Sequence, residues 1–223
     1  MNDLLLHIIA YILIIGAAVG AFVYLVRRGN RAVSIGCIFA DYRLSTECAL
    51  CFSAVLIGLF LFQKGINSED KTYIRALIDG LTAVWLLIIG YIDLKEQIIP
   101  NEMIGCGLLV WVQVVIMDVF VAGTSWIAAL VYSLSGGFVI GGILFVIAIL
   151  MKSALGMGDV KMFLVVGLLY GLSDTYMVLL MSLLLMAIVS VTLLALKKVT
   201  AKTTVPMAPF VVAGFIISLL AVM

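Results

Sequence analysis

Charge is what this chain has least of. Asp, Glu, Lys and Arg make up 11% of the 223 residues and nearly cancel, to a net +1, while hydrophobic residues make up 65% and mean hydropathy is +1.33. That balance excludes a soluble globular domain and any binding of nucleic acid through bulk charge, and it makes the bilayer the solvent. Proline is scarce too, with three residues, and no Pro/Ser-rich linker or block of charge divides the sequence, so 1–223 reads as one membrane-embedded domain. The only histidine, His7, falls near the outer end of the first apolar run and reads as interfacial. That run has no basic flank or small-residue cleavage site before it and reads as a retained helix.

Cysteines are few: Cys37, Cys48, Cys51 and Cys106. None lies in a long polar outer loop, which argues against a structural disulfide. Cys48 and Cys51 have CxxC spacing, but they open an apolar run of helical length, where cysteine packs as a small core residue. A zinc site would ask for four well-placed ligands. The expectation is no metal.

What is present is apolar runs. At about twenty residues per crossing, the sequence predicts an all-α polytopic bundle of eight transmembrane helices, at about 4–26, 46–63, 74–93, 103–121, 126–150, 159–172, 175–196 and 206–222. With the N-terminus outside, Arg27, Arg28, Arg31, Arg43, Lys95, Lys152, Lys161, Lys197, Lys198 and Lys202 fall inside, and Lys64, Lys71 and Arg75 outside. Ten basic residues against three is a positive-inside pattern. The largest inner loop, 27–45, reads as solvated with snorkelling arginines, although Arg43 and Glu47 are spaced for an i,i+4 pair. Gly16 with Gly20, and Gly136-Gly137 with Gly141-Gly142, read as small faces on which helices approach closely. Asp79, inside the third run, is either a carboxylate at the lipid interface or a buried structural one.

Two polar interruptions stand out from this background. Gly156-Met157-Gly158-Asp159-Val160-Lys161 opens the sixth run, and Asp93 closes the third, just before Ile99-Pro100-Asn101, in which Asn101 is a good helix N-cap. Carboxylates are costly at the edge of hydrocarbon and so are functional candidates there. In the orientation above, both lie at the cytoplasmic face. Two carboxylates sharing one proton are the equipment of acid proteolysis: one deprotonates a water while the other polarises the scissile carbonyl. The first turn of a helix favours charge on Asp159 and the last turn disfavours it on Asp93, which predicts Asp159 as base and Asp93 as acid. Gly156 and Gly158 leave room for a peptide backbone beside Asp159. Together with Lys161 and Pro100 they are the candidate substrate contacts.

The order of Asp93, Ile99-Pro100-Asn101, Gly156-Met157-Gly158-Asp159-Val160-Lys161 and Val205-Pro206-Met207-Ala208-Pro209-Phe210 resembles the landmarks of bacterial type IV prepilin peptidases. The resemblance runs from end to end: Gly16 and Gly20 resemble the family's first helix, and Tyr42-Arg43-Leu44 with Glu47 resembles, imperfectly, its arginine-tyrosine-proline-leucine-x-glutamate segment. It implies a multi-pass aspartic endopeptidase of the bacterial cytoplasmic membrane, with Asp93 and Asp159 catalytic at the cytoplasmic face. Such an enzyme removes the basic leader from prepilins or pseudopilins, cutting after a glycine. Proteolysis would need no cofactor. Many family members also methylate the new N-terminus with S-adenosylmethionine and bind zinc through two CxxC pairs in the first inner loop. Here that loop has only Cys37, with Ser34 three residues earlier. The implied partners are the prepilin or pseudopilin substrate and the lipid bilayer, with no nucleic acid, and the sequence fixes no oligomeric state.

Two other readings fit less well. Presenilin-like proteases also use a GxGD aspartate, but with a tyrosine-aspartate pair upstream and a proline-alanine-leucine segment late, where this chain has Tyr91-Ile92-Asp93 and Pro206-Met207-Ala208-Pro209. A proton-coupled transporter would place its carboxylates near mid-membrane between repeated halves. The predicted topology has a direct test. Single cysteines near residues 97 and 155 should label from the same, cytoplasmic side, and labelling from opposite sides would separate the two aspartates for good.

Overall fold

The structure, a computed structural model, describes residues 73–120, 125–150, 155–197 and 205–222. Their regular structure is entirely helical: α1 (Tyr73–Glu96), α2 (Asn101–Phe120), α3 (Trp126–Leu150), α4 (Met157–Ala195) and α5 (Ala208–Val222). Helices follow from the composition, because backbone groups surrounded by apolar side chains and lipid have no water to bond and must pair within their own segment. By length and composition, α3 and α4 can each cross a membrane. The fifth expected span coincides with α3, and the third, fourth and eighth correspond to α1, α2 and α5. Outside the described residues lie the expected spans 4–26 and 46–63, the loop 27–45, His7, Gly16 and Gly20, the Arg43–Glu47 pair, Cys37, Cys48 and Cys51.

The chain divides into two compact units, 1–88 and 89–223, with the boundary inside α1. Of the first unit, the described part is the front of α1, where Ala76, Ala83, Val84 and Leu86 are buried together with Asp79 and Thr82. Asp79 is fully buried, at 0% exposure, which settles it as an interior carboxylate.

The second unit is built on one close crossing. A Cβ on Gly167 of α4 would stand 2.6 Å from the carbonyl of Gly136 and 2.7 Å from the Cα of Gly137, both on α3. Main chain therefore touches main chain, the geometry that small residues allow between apolar helices. One turn on, a Cβ at Gly141 would meet Leu164 at 3.1 Å, whereas one at Gly142 would meet nothing within 4 Å. Three of the four α3 glycines face α4 and the fourth faces outward.

The sixth and seventh expected spans are joined in α4, which breaks at Gly171 (φ 70, ψ −172). Only glycine takes that conformation without strain. Thr175 Oγ1 donates to the carbonyl of Val166 at 3.3 Å; along a straight helix those residues would be about 13 Å apart, so the chain turns back sharply. The carbonyl of Tyr170, at the break, accepts a 2.7 Å bond from the Tyr132 hydroxyl of α3. Beyond the break, α5 packs on α4. A Cβ at Gly214 would stand 2.8 Å from the main-chain nitrogen of Ser182, and the Phe215 ring meets Tyr170 edge-on at 5.4 Å.

The two kinds of glycine on α3 should respond in opposite ways to the same change. Gly136→Ala puts a methyl into the backbone of Gly167 and Gly171 and should cost about 2 kcal/mol or more. Gly142→Ala should be neutral or stabilise by about 0.5 kcal/mol, since it removes a mid-helix glycine at no steric cost. Thermal unfolding of both variants in detergent measures the contrast.

Candidate active site

Asp93 lies in the last turn of α1, with its side chain buried at 5% exposure. Its main-chain oxygen accepts from Gln97 N–H at 2.9 Å, and Gln97 has φ 53, so α1 ends on a left-handed residue one turn beyond the aspartate. A side chain there costs roughly 1 kcal/mol that glycine would avoid. The carboxylate points to the head of α5: Ala208 N–H donates to Oδ2 at 3.0 Å, and the Met207 main chain bonds to the same group.

Asp159 is the third residue of α4, whose N-cap is Gly156 with extended φ and ψ and no side chain to cap with. The missing cap is supplied backwards. The main chain of Gly156 hydrogen-bonds the Asp159 carboxylate, which is the return half of a capping box, made by the third residue of the helix onto its N-cap. A Cβ on Gly156 would lie 3.1 Å from Asp159 Oδ2, so glycine keeps the carboxylate uncrowded. Gly158 answers to a different neighbour, because a Cβ there would lie 3.0 Å from Cβ of Ile99. The room beside Gly158, expected to admit a peptide, is filled in this conformation by Ile99.

The loop after Asp93 thus reaches the helix that carries Asp159. The Pro100 carbonyl accepts from Met103 (3.1 Å) and Ile104 (3.4 Å), which makes Pro100 the N-cap of α2. Asn101, expected to be the cap, sits one position inside and uses its side chain elsewhere: Lys161 Nζ donates to Asn101 Oδ1 at 2.9 Å. Of the four candidate substrate contacts, Gly156 and Lys161 are exposed, Gly158 is half-buried and Pro100 is buried.

These contacts bring Asp93 and Asp159 together, close enough for the charge on one to act on the other. The expected division of roles rested on a helix C-terminus for Asp93 and an N-terminus for Asp159. In the structure Asp93 also faces the N-terminus of α5, so each carboxylate has an electropositive helix head against it and helix ends no longer tell base from acid. The site member missed by the sequence reading is Ala208, which acts through its main chain. Its signal was a helix start with Met207 where a capping side chain usually stands. Among the described residues no cluster of His, Cys, Asp and Glu could hold a metal ion, and Cys106 is exposed on α2.

A sequence model of the type IV leader peptidase family matches residues 80–191, half of the chain, and covers both aspartates. Comparison with curated proteins and with solved structures returns no match.

The Lys161–Asn101 bond can be measured as a coupling. Lys161→Met and Asn101→Ala should each destabilise the detergent-solubilised protein, and the double variant by less than the sum. For an exposed charge-assisted bond the shortfall should be about 0.5–1 kcal/mol, and strict additivity would mean that the two side chains do not act together.

Proposed function

The chain belongs to the type IV leader peptidase family, and from that premise we propose that it is a membrane aspartic endopeptidase in which Asp93 and Asp159 share one proton. The observation that carries this reading is the meeting of two carboxylates from distant parts of the sequence, each hydrogen-bonded by main chain, with the charge of Asp93 acting on Asp159. Like charges so placed favour a state with one proton between them, which is the working state of an acid protease dyad.

In the proposed reaction a water lies between the carboxyl groups. The charged one takes a proton from the water as its oxygen attacks the scissile carbonyl, and the protonated one gives its proton to the carbonyl oxygen. The tetrahedral intermediate collapses as a proton passes to the leaving nitrogen. The pair titrates as a unit, so base and acid are roles within the dyad and not fixed labels on residues. The substrate is the basic leader of a prepilin or pseudopilin, presented at the cytoplasmic face of the bacterial inner membrane, a placement supported by the positive-inside pattern. The exposed Gly156, beside the Asp159 carboxylate, is the side from which an extended peptide approaches. S-adenosylmethionine enters only if the chain also methylates the product, and proteolysis itself needs no cofactor.

Asp93→Asn and Asp159→Asn decide the proposal. Asparagine keeps an oxygen that can accept the main-chain N–H groups but cannot cycle a proton, so each variant should insert normally and lose cleavage by about a thousandfold or more. Asp174→Asn, a full arm of α4 away from Asp159, should cleave at the wild-type rate. Membranes containing each variant are incubated with a panel of prepilins, and the product N-termini are read by mass spectrometry, which reports the cut and any methyl group together. Wild-type cleavage by either dyad variant would end the two-aspartate mechanism.

A further inference from the structure

The head of α5 lies outside the 80–191 stretch matched by the family, yet it touches Asp93. The helix begins without the usual means of capping itself. Its N-cap is Met207, whose carbonyl accepts from Phe210 (3.0 Å) and Val211 (3.2 Å) but whose side chain has no oxygen for the N–H groups of the first turn. Pro209 has no N–H to satisfy. That leaves Ala208, at 0% exposure, with a buried N–H that needs an acceptor. It finds one 115 residues back along the chain, in Asp93 Oδ2 at 3.0 Å.

We propose that the main-chain N–H of Ala208 is a positioning group for the reaction, holding the Asp93 carboxyl in the one orientation in which it can share a proton and a water with Asp159. This deepens the dyad assignment and rests on it. An aspartate on a helix has several side-chain rotamers open to it, and anchoring Oδ2 to a main-chain atom removes that freedom. The anchor is itself well placed. Gly90, one turn before Asp93 on the same face of α1, lets α5 come close: a Cβ there would stand 3.0 Å from Val212 Cγ2 and 3.6 Å from the Cα of Pro209. On its other side α5 is fastened to α4 through Gly214 against Ser182 and Phe215 against Tyr170. Since α4 carries Asp159 at its head, α5 joins the helices of the two aspartates and sets one carboxyl relative to the other.

The test uses the full chain in detergent and a prepilin substrate. Ala208→Pro deletes this single N–H at the first helical position, where proline is well accepted; Ala208→Gly keeps it. A misplacement of about 1 Å can cost a hundredfold. Ala208→Pro should therefore lower kcat at least about tenfold while KM stays within about twofold, and Ala208→Gly should lose far less. As a second pair, Gly90→Ala should lower kcat by pressing on Val212, and Gly90→Ala with Val212→Ala should recover it. If the proline variant does not insert, the Gly90 pair decides alone. The proposal is overturned by a wild-type kcat in an inserted Ala208→Pro variant, by a loss in Ala208→Gly as deep as in proline, or by no recovery on trimming Val212. An inactive Asp93→Asn beside an unimpaired Ala208→Pro would sink this inference alone, whereas an active Asp93→Asn would sink the dyad with it.

Discussion

A helix head needs partners for its first N–H groups, and in this chain two helix heads, the exposed one of α4 and the buried one of α5, are each bonded by an aspartate. The head of α4 uses Asp159 on its own third residue, reaching back to Gly156. The head of α5 has only Met207 at its cap and takes Asp93 from α1. The pairing at the head of α5 matters to the fold, because Ala208 is buried and an unsatisfied buried donor costs about 1–3 kcal/mol. The groups that would do chemistry are also the groups that close two helices, so folding and assembly of the site are one event.

Close approach is the second requirement, and glycine provides it at each place where a side chain would intrude. Gly90 lets α5 reach Asp93, Gly156 leaves the Asp159 carboxylate uncrowded, and Gly158 receives Ile99. Further along, Gly136 and Gly167 bring α3 and α4 into main-chain contact. Helices gain little from hydrophobic burial when the surrounding lipid is equally apolar, so packing of this kind supplies much of what holds them together. Small residues thus recur from the aspartates to the α3–α4 crossing, at the places where neighbouring groups come closest.

The aspartates were legible in the sequence because a charge at the edge of an apolar run is rare and costly, and the bounds of α3 were legible because nothing polar interrupts 126–150. The gap between the sixth and seventh expected spans marked the break, and its cause is the positive φ of Gly171. Other features were hidden for physical reasons. Asn101 has the side chain of an N-cap, but the cap falls on Pro100 and the Asn101 side chain accepts from Lys161 instead. The role of Ala208 belongs to a main-chain atom, which every residue except proline possesses, so no residue type announces it. Helix ends do not separate base from acid here, because a third helix, distant in sequence, has its own head against Asp93.

The loop between Asp93 and Asn101 carries the remaining mechanical load. Asp93 acts electrostatically on Asp159, and two ionised carboxylates so placed repel each other, a push that would separate them. Two contacts oppose it: the packing of Ile99 on Gly158 and the bond from Lys161 to Asn101. A proton held between the carboxyl groups removes the repulsion and lets the same contacts keep the pair closed. In the proposed dyad, the proton that the chemistry requires is therefore also one that relieves the repulsion.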